Sequence, residues 1–137
     1  MKILDIKNLT KRNALAALTA GDVVELKKVD NRTELDVKGY VTQEIVNNET
    51  GEVFESMVIL TTDGLFATRS ESFMSSLIEL YETLGDEVLN DDGTLSIVVY
   101  KGMSKNNREF ISCGLRGDLH EIYYKNRYDY DSKCDIV

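Results

Sequence analysis

The chain has 137 residues, with 16 Lys and Arg against 24 Asp and Glu, for a net charge of −8. That length is one domain's worth, and it buries enough surface to fold without a staple. The charge argues against a general nucleic-acid coat, although binding needs only a local basic patch.

The start, MKILDIKNLTKR, carries charges inside any apolar stretch and is not expected to be a signal peptide. The segment NLTKRNALAALTAG reads as a short helix capped by Thr10 or Asn8, with Leu15 and Leu18 on one face and Gly21 at its end. DVVELKKV, residues 22 to 29, is valine-rich and predicts a strand, followed by the turn VDNRTE. LDVKGYVTQEIV, residues 35 to 46, alternates. Leu35, Val37 and Val41 fall on one face and Lys38 and Tyr40 on the other, while Gly39 marks a bulge or bend. The turn NNETGE leads to a strand over residues 53 to 62, and Asp63-Gly64 folds LFATR back as a short extra piece.

SESFMSSLIELYETLG is the clearest helix, residues 70 to 84, with Phe73, Leu77, Leu80 and Leu84 at helical spacing. Thr68 with Glu71 fits a capping box, Ser70 is the alternative cap, and Gly85 ends the helix. An acidic loop, DEVLNDDG, precedes two strands at residues 95 to 101 and 110 to 115, joined by GMSKNNRE. Alternation in the first of these puts Leu95, Ile97 and Val99 on one side and Ser96, Val98 and Tyr100 on the other. Residues 1 to 117 form the domain, and residues 118 to 137 are a tyrosine-rich tail or arm.

With the first helix and the LFATR piece set aside, three strands, a helix and two strands remain. That order predicts a mainly β, α+β fold: a five-stranded Greek-key barrel of the OB type, with the helix between its third and fourth strands.

Enzyme chemistry is not in evidence. His120 is the single histidine and has no Cys or His nearby to form a metal set, and no phosphate-loop motif occurs, so no cofactor and no metal are expected. DEVLNDDG fails as a calcium loop because Val88 and Val99 fall where carboxylates belong. Cys113 reads as a buried small hydrophobe and Cys134 lies in the polar tail, so a disulfide is not expected and a reducing, intracellular setting fits. No apolar run reaches a membrane-spanning length of ~18 residues.

What the chain does carry is basic and aromatic residues interleaved at strand ends and turns. Lys27, Lys28 and Arg32 flank the first turn, and Lys38 and Tyr40 share a strand face. Tyr100, Lys101, Ser104, Lys105, Arg108 and Phe110 crowd the last hairpin. Stacking rings beside phosphate-binding cations are what single-stranded nucleic acid requires. The plainer reading is that tyrosine and phenylalanine pack the strands and lysine guards their edges.

TGEVFESMVILTTDGLFATRSESFMSSLIEL followed by SIVVYKGMSKNNREFISCGL resembles the single-stranded-DNA-binding proteins of small phages that infect Gram-positive bacteria. The TGE turn, TTDG, the AT-S-SF approach to the helix and SK-N-REF carry the likeness, over roughly residues 35 to 115. The resemblance implies an OB-type domain that coats unwound phage DNA during replication in the host cytoplasm. Ser104, Lys105 and Arg108 would hold DNA, and Thr68 to Phe73 would be structural. Further partners left open are a second copy of the chain and a host or phage replication protein. The tail ends DIV and lacks the acidic, apolar-tipped terminus that many such proteins use for recruitment. Two other functions compete. One is an acidic inhibitor that mimics DNA through Glu82, Asp86, Glu87, Asp91 and Asp92, and the other is a virion assembly module docking by its tail.

Overall fold

The computed structural model describes residues 2–103 and 105–116. Its strands are β1 (Lys2–Lys7), β2 (Val24–Glu25), β3 (Thr33–Val46), β4 (Val53–Thr61), β5 (Gly64–Thr68), β6 (Leu95–Met103) and β7 (Glu109–Leu115). Two helices, α1 (Lys11–Thr19) and α2 (Glu71–Leu84), fall between β1 and β2 and between β5 and β6. The strands form one mixed sheet in the order β2-β5-β4-β3-β6-β7, with β1 also on β3. Every pairing is antiparallel except β2 with β5. The sheet curls into a half-barrel.

β3 organises this curl. One of its edges pairs with β4 from Val37 to Val46. Its other edge is shared, with β6 on Thr33 to Val37 and β1 on Tyr40 to Glu44. The register slips between Val37 and Gly39, which is the bulge that Gly39 predicts. An extra residue in one strand reverses the face of every side chain beyond it. Leu35 and Val37 point into the main core, and past the bulge so does Tyr40, while Val41 turns to the opposite face. The expected grouping of Leu35, Val37 and Val41 is therefore corrected, and Tyr40 is a core residue, 2% exposed, and not a companion of exposed Lys38.

The main core fills the inside of the curl. α2 presses Phe73, Met74, Leu77 and Tyr81 against Leu35, Val37, Met57, Ile59, Phe66, Leu95, Ile97 and Val99. Full burial of each such side chain contributes about 1.5–3 kcal/mol. Leu80 and Leu84, expected on the same stripe, are half-buried. Ser70 caps α2 by accepting from Phe73 N at 3.2 Å. Thr68 Oγ1 instead accepts from Ser70 N at 3.0 Å, so Ser70, not a Thr68–Glu71 box, starts the helix. Gly85 ends it at φ 60°, a left-handed value.

On the outer face α1 lays Ala14 and Ala17 on Val41 and Val58. Small side chains let helix and sheet approach closely. Leu15, expected on the packed face, is exposed at 51%. Thr10 is the cap, accepting from Asn13 N at 3.1 Å.

Two assignments at the start of the chain change. The strand expected over residues 22 to 29 shrinks to the two residues of β2, after which Leu26–Lys28 winds into a 3₁₀ turn that buries Leu26. Residues 2–7, given no element from the sequence, form β1. The three strands before α2 are thus β3, β4 and β5, so LFATR belongs to the sheet and residues 22 to 29 do not supply a long strand.

The acidic loop after α2 is tied down by a polar chain. Ser96 Oγ donates to Asp36 Oδ1 at 2.6 Å, Asn90 Nδ2 reaches Ser96 Oγ and Thr94 Oγ1, and Thr94 donates to Asp92 Oδ1. These hydrogen bonds from Thr94 hold the Asp92 carboxyl below its ordinary range. Cys113 is buried, as its strand context suggests, and burial pushes its thiol up to about 12. Among the described residues no helix is long and apolar enough to cross a membrane. Cys134, His120 and the tail from 118 lie outside the described residues.

Candidate nucleic-acid interface

The last hairpin is where basic and aromatic residues meet. β6 and β7 pair from Ile97↔Leu115 to Met103↔Glu109. Opposed residues on antiparallel strands share a face. Leu95, Ile97 and Val99 enter the core, as the alternation predicts, so Tyr100, Gly102, Phe110 and Ser112 share the outer face. Tyr100 is half-buried there, opposite Ser112. Phe110 is 39% exposed and the far end of its ring lies over Gly102, since a Cβ on Gly102 would come within 2.9 Å of Cζ. Glycine at 102 therefore makes room for the ring.

Lys101 points to the other side and joins distant parts of the chain. Its Nζ donates to Lys27 O at 2.6 Å and Val29 O at 2.9 Å, while its backbone N–H donates to Asn31 Oδ1 at 2.9 Å. Arg32, at φ 67°, adds a hydrogen bond from its N–H to Val99 O at 2.7 Å. The 3₁₀ turn and the turn after it are thereby docked on β6. Lys101 spends two of its three ammonium donors on this tie. Lys27 and Lys28 each lie 3.7 Å from exposed Glu25, a separation at which such pairs add at most about 1 kcal/mol.

A cleft of 770 Å³ opens between the hairpin, the 3₁₀ turn and the start of α2. Lys27, Lys101 and Arg108 line it with Met103, Phe110 and Ile111, and Glu71 and Glu109 add two carboxylates. Ser70 and Ser72 also border it, and both hydroxyls donate to Ile111 O, at 3.2 and 2.6 Å. These bonds join the start of α2 to the outer edge of β7. The positive end of the α2 dipole faces the same opening.

Of the residues expected at the site, the structure gathers Lys27, Lys101, Arg108 and Phe110 in this cleft. Lys105 is exposed at the hairpin tip, Lys28 is exposed beside Lys27, and Tyr100 is on the outer face. Ser104 lies outside the described residues. Two expectations are corrected. Tyr40 is buried with its hydroxyl 3.5 Å from Asp5 Oδ2 and its ring edge-on to Tyr81 at 5.6 Å, so it offers no stacking surface. Burial first, and then Asp5, raise its hydroxyl well above the ordinary tyrosine range. Lys38 stands at the bulge near Asp92, away from the cleft lining. The loop between the first two long strands is also not the one carrying Lys27, Lys28 and Arg32. It is the acidic loop 47–52, between β3 and β4. Ser70, Ser72 and Gly102 were legible only as a cap, a helix residue and a loop glycine. Their place at the cleft follows from contacts across the chain.

Comparison with protein-family models, with curated proteins and with solved structures finds no match. The likeness to phage single-stranded-DNA-binding proteins rests on the short motifs quoted above. Among the described residues, no three His, Cys, Asp or Glu side chains gather as a metal site.

Proposed function

We propose that this protein binds single-stranded DNA without sequence preference and without catalysing a reaction, in the manner of a phage replication protein acting in the host cytoplasm. The observation that carries this reading is the convergence of Lys27, Lys101 and Arg108 in one open cleft, with Phe110, 39% exposed, on the outer face of the same hairpin. A strand crossing the edge of this hairpin sets the phosphates on the cations of the cleft and a base on the ring beyond it. The sheet gives further support. The pairings β3–β4, β4–β5, β3–β6 and β6–β7, with a helix between β5 and β6, support the reading of an OB-type barrel, in which the Ser72 hydroxyl at the start of α2 reaches β7. α1 covers the outer face at Val41 and Val58, which leaves the hairpin side of the barrel for the strand.

The acidic remainder of the chain makes this binding weak and strongly salt-dependent. With Lys27, Lys105 and Arg108 on phosphates, log affinity falls with log salt at a slope of about −2, at roughly −0.7 per phosphate. Fluorescence anisotropy of a labelled oligothymidylate of about 30 nucleotides at low salt tests this, since one domain of this kind covers only part of such a strand. Replacing Lys105 and Arg108 together by alanine is expected to flatten the slope by one to two phosphates' worth, about 0.7 to 1.4, with the melting temperature unchanged. No binding at low salt, or a double variant that binds like the wild type, overturns the reading.

One feature favours the DNA-mimic reading instead. The polar chain through Asp36, Ser96, Asn90 and Thr94 holds the loop with Asp91 and Asp92 in a fixed shape, with both carboxylates exposed. The same titration separates the two, because a mimic does not bind the oligonucleotide.

A further inference from the structure

The cations of the cleft are held in different ways. Lys27 reaches into solvent, its side chain 70% exposed and 3.7 Å from Glu25. Arg108 is exposed on the last hairpin. Lys101 is half-buried, and its ammonium faces the carbonyl oxygens of Lys27 and Val29 at 2.6 and 2.9 Å. Those carbonyls belong to residues 26–32, a strap that leaves β2 at one end of the sheet and enters β3 alongside β6, near the other end. β2 holds the sheet through only two residues, so the strap depends on what fastens it beyond β2. Leu26 fastens it by burial, Asn31 Oδ1 by accepting from the Lys101 N–H at 2.9 Å, and the Arg32 N–H by donating to Val99 O at 2.7 Å.

An ammonium has three donors, and backbone carbonyls already take two of those of Lys101. Hydrogen bonds from an ionised donor are roughly twice as strong as neutral ones. Carrying this ammonium onto a phosphate would pull it from the strap. One of the carbonyls it grips is that of Lys27 itself, so the tie acts at the residue whose side chain lines the cleft. We propose that Lys101 is a positioning residue: it serves the nucleic acid through Lys27, by fixing the strap that carries it, and does not itself hold a phosphate. The role of Lys27 rests on the DNA-binding reading above, whereas the fastening of the strap does not.

Two measurements on the full chain test this. Lys101→Met removes the ammonium donors and keeps the stem. Asn31→Ala loosens the same strap and leaves every charge in place, and it carries the test if Lys101→Met loses its wild-type circular dichroism. Without nucleic acid, trypsin cleavage after Lys27, Lys28 and Arg32, read by mass spectrometry, is expected to be at least about tenfold faster in both variants, because it follows local opening of the strap. In the oligothymidylate titration, Lys27→Ala, Lys101→Met and Asn31→Ala are each expected to flatten the salt slope by about 0.7, one phosphate's worth, and Lys27→Ala with Lys101→Met to flatten it no further. A residue that only stabilised the fold would lower the melting temperature and leave the slope of Asn31→Ala at the wild-type value. That result overturns the proposal, as does cleavage of the strap at the wild-type rate in the variants. A double variant flattened by about 1.4 overturns it too, since Lys101 would then hold a phosphate of its own. A wild type that does not bind overturns the DNA-binding reading and the role of Lys27 with it, and trypsin alone then decides whether Lys101 fastens the strap.

Discussion

Replacing Gly39 by alanine tests the turning point of the fold. Gly39 follows the β3 bulge, where the end of β1 crosses most closely. A Cβ there would lie 2.3 Å from Lys7 O and 2.8 and 2.9 Å from Leu9 Cγ and Cδ2. Ordinary contact is at about 3.5 Å, so a backbone carbonyl must recede by about 1 Å. Lys7 pairs with Tyr40, so that shift separates the end of β1 from β3. Forcing a methyl into a packed site costs about 1–3 kcal/mol, and the upper part of that range applies where backbone must move. Alanine stiffens the unfolded chain and returns about 0.4–1 kcal/mol. The net expectation is a loss of about 1–2 kcal/mol, a fall in melting temperature of roughly 3–7 °C for a domain of this size. Gly21 provides the control. Nothing lies within 4 Å of its would-be Cβ, so Gly21→Ala is expected to be neutral or slightly stabilising. Thermal melts followed by circular dichroism compare the two. Gly39→Ala melting with Gly21→Ala would refute the argument that close approach of β1 determines residue 39.

Leu77 is fully buried where α2 meets the sheet, so Leu77→Ala is expected to cost about 2–5 kcal/mol in urea unfolding. Among the described residues the buried Tyr81 hydroxyl has no hydrogen-bond partner, so Tyr81→Phe removes an unmet desolvation cost and is expected to raise the urea midpoint; a drop of about 1 kcal/mol or more would mean the hydroxyl is satisfied. Burial, and secondarily Cys113, push Tyr81 up to about 12, and burial alone does the same for the Cys113 thiol. Both groups stay protonated in the folded state at pH values where the unfolded chain has released its protons. Their stabilisation is therefore complete below about pH 9 and lost progressively as pH rises toward 12. Urea midpoints measured at pH 8 and 10.5 are expected to fall, and less so in Tyr81→Phe. In a Cys134→Ser variant, Cys113 is expected to react with a thiol reagent only at the rate of unfolding, which a stopped reaction with and without urea measures.

Local regularity was legible in the amino-acid sequence. Phe73 and Leu77 at helical spacing, with Ser70 before them and Gly85 after, gave α2 because a helix buries one stripe and needs a cap at each end. Leu95, Ile97 and Val99 gave the inner face of β6 because a strand alternates. The chemistry of the last hairpin was visible as composition: Lys105, Arg108 and Phe110 are neighbours along the chain. What depended on partners was not visible. A bulge shifts face by one residue, and whether Gly39 produces one depends on β1 lying against it, which is why Tyr40 turned inward. Residues 22 to 29 have strand composition, but Leu26 finds its burial in a 3₁₀ turn that Lys101 holds by hydrogen bonds to Lys27 and Val29. Those contacts span more than seventy residues, and so does the cleft that joins Lys27 to Arg108. Periodicity reports which side chains a single element presents. Only the packing of elements decides which of those presented faces meet, because that choice rests on contacts between residues far apart in the chain.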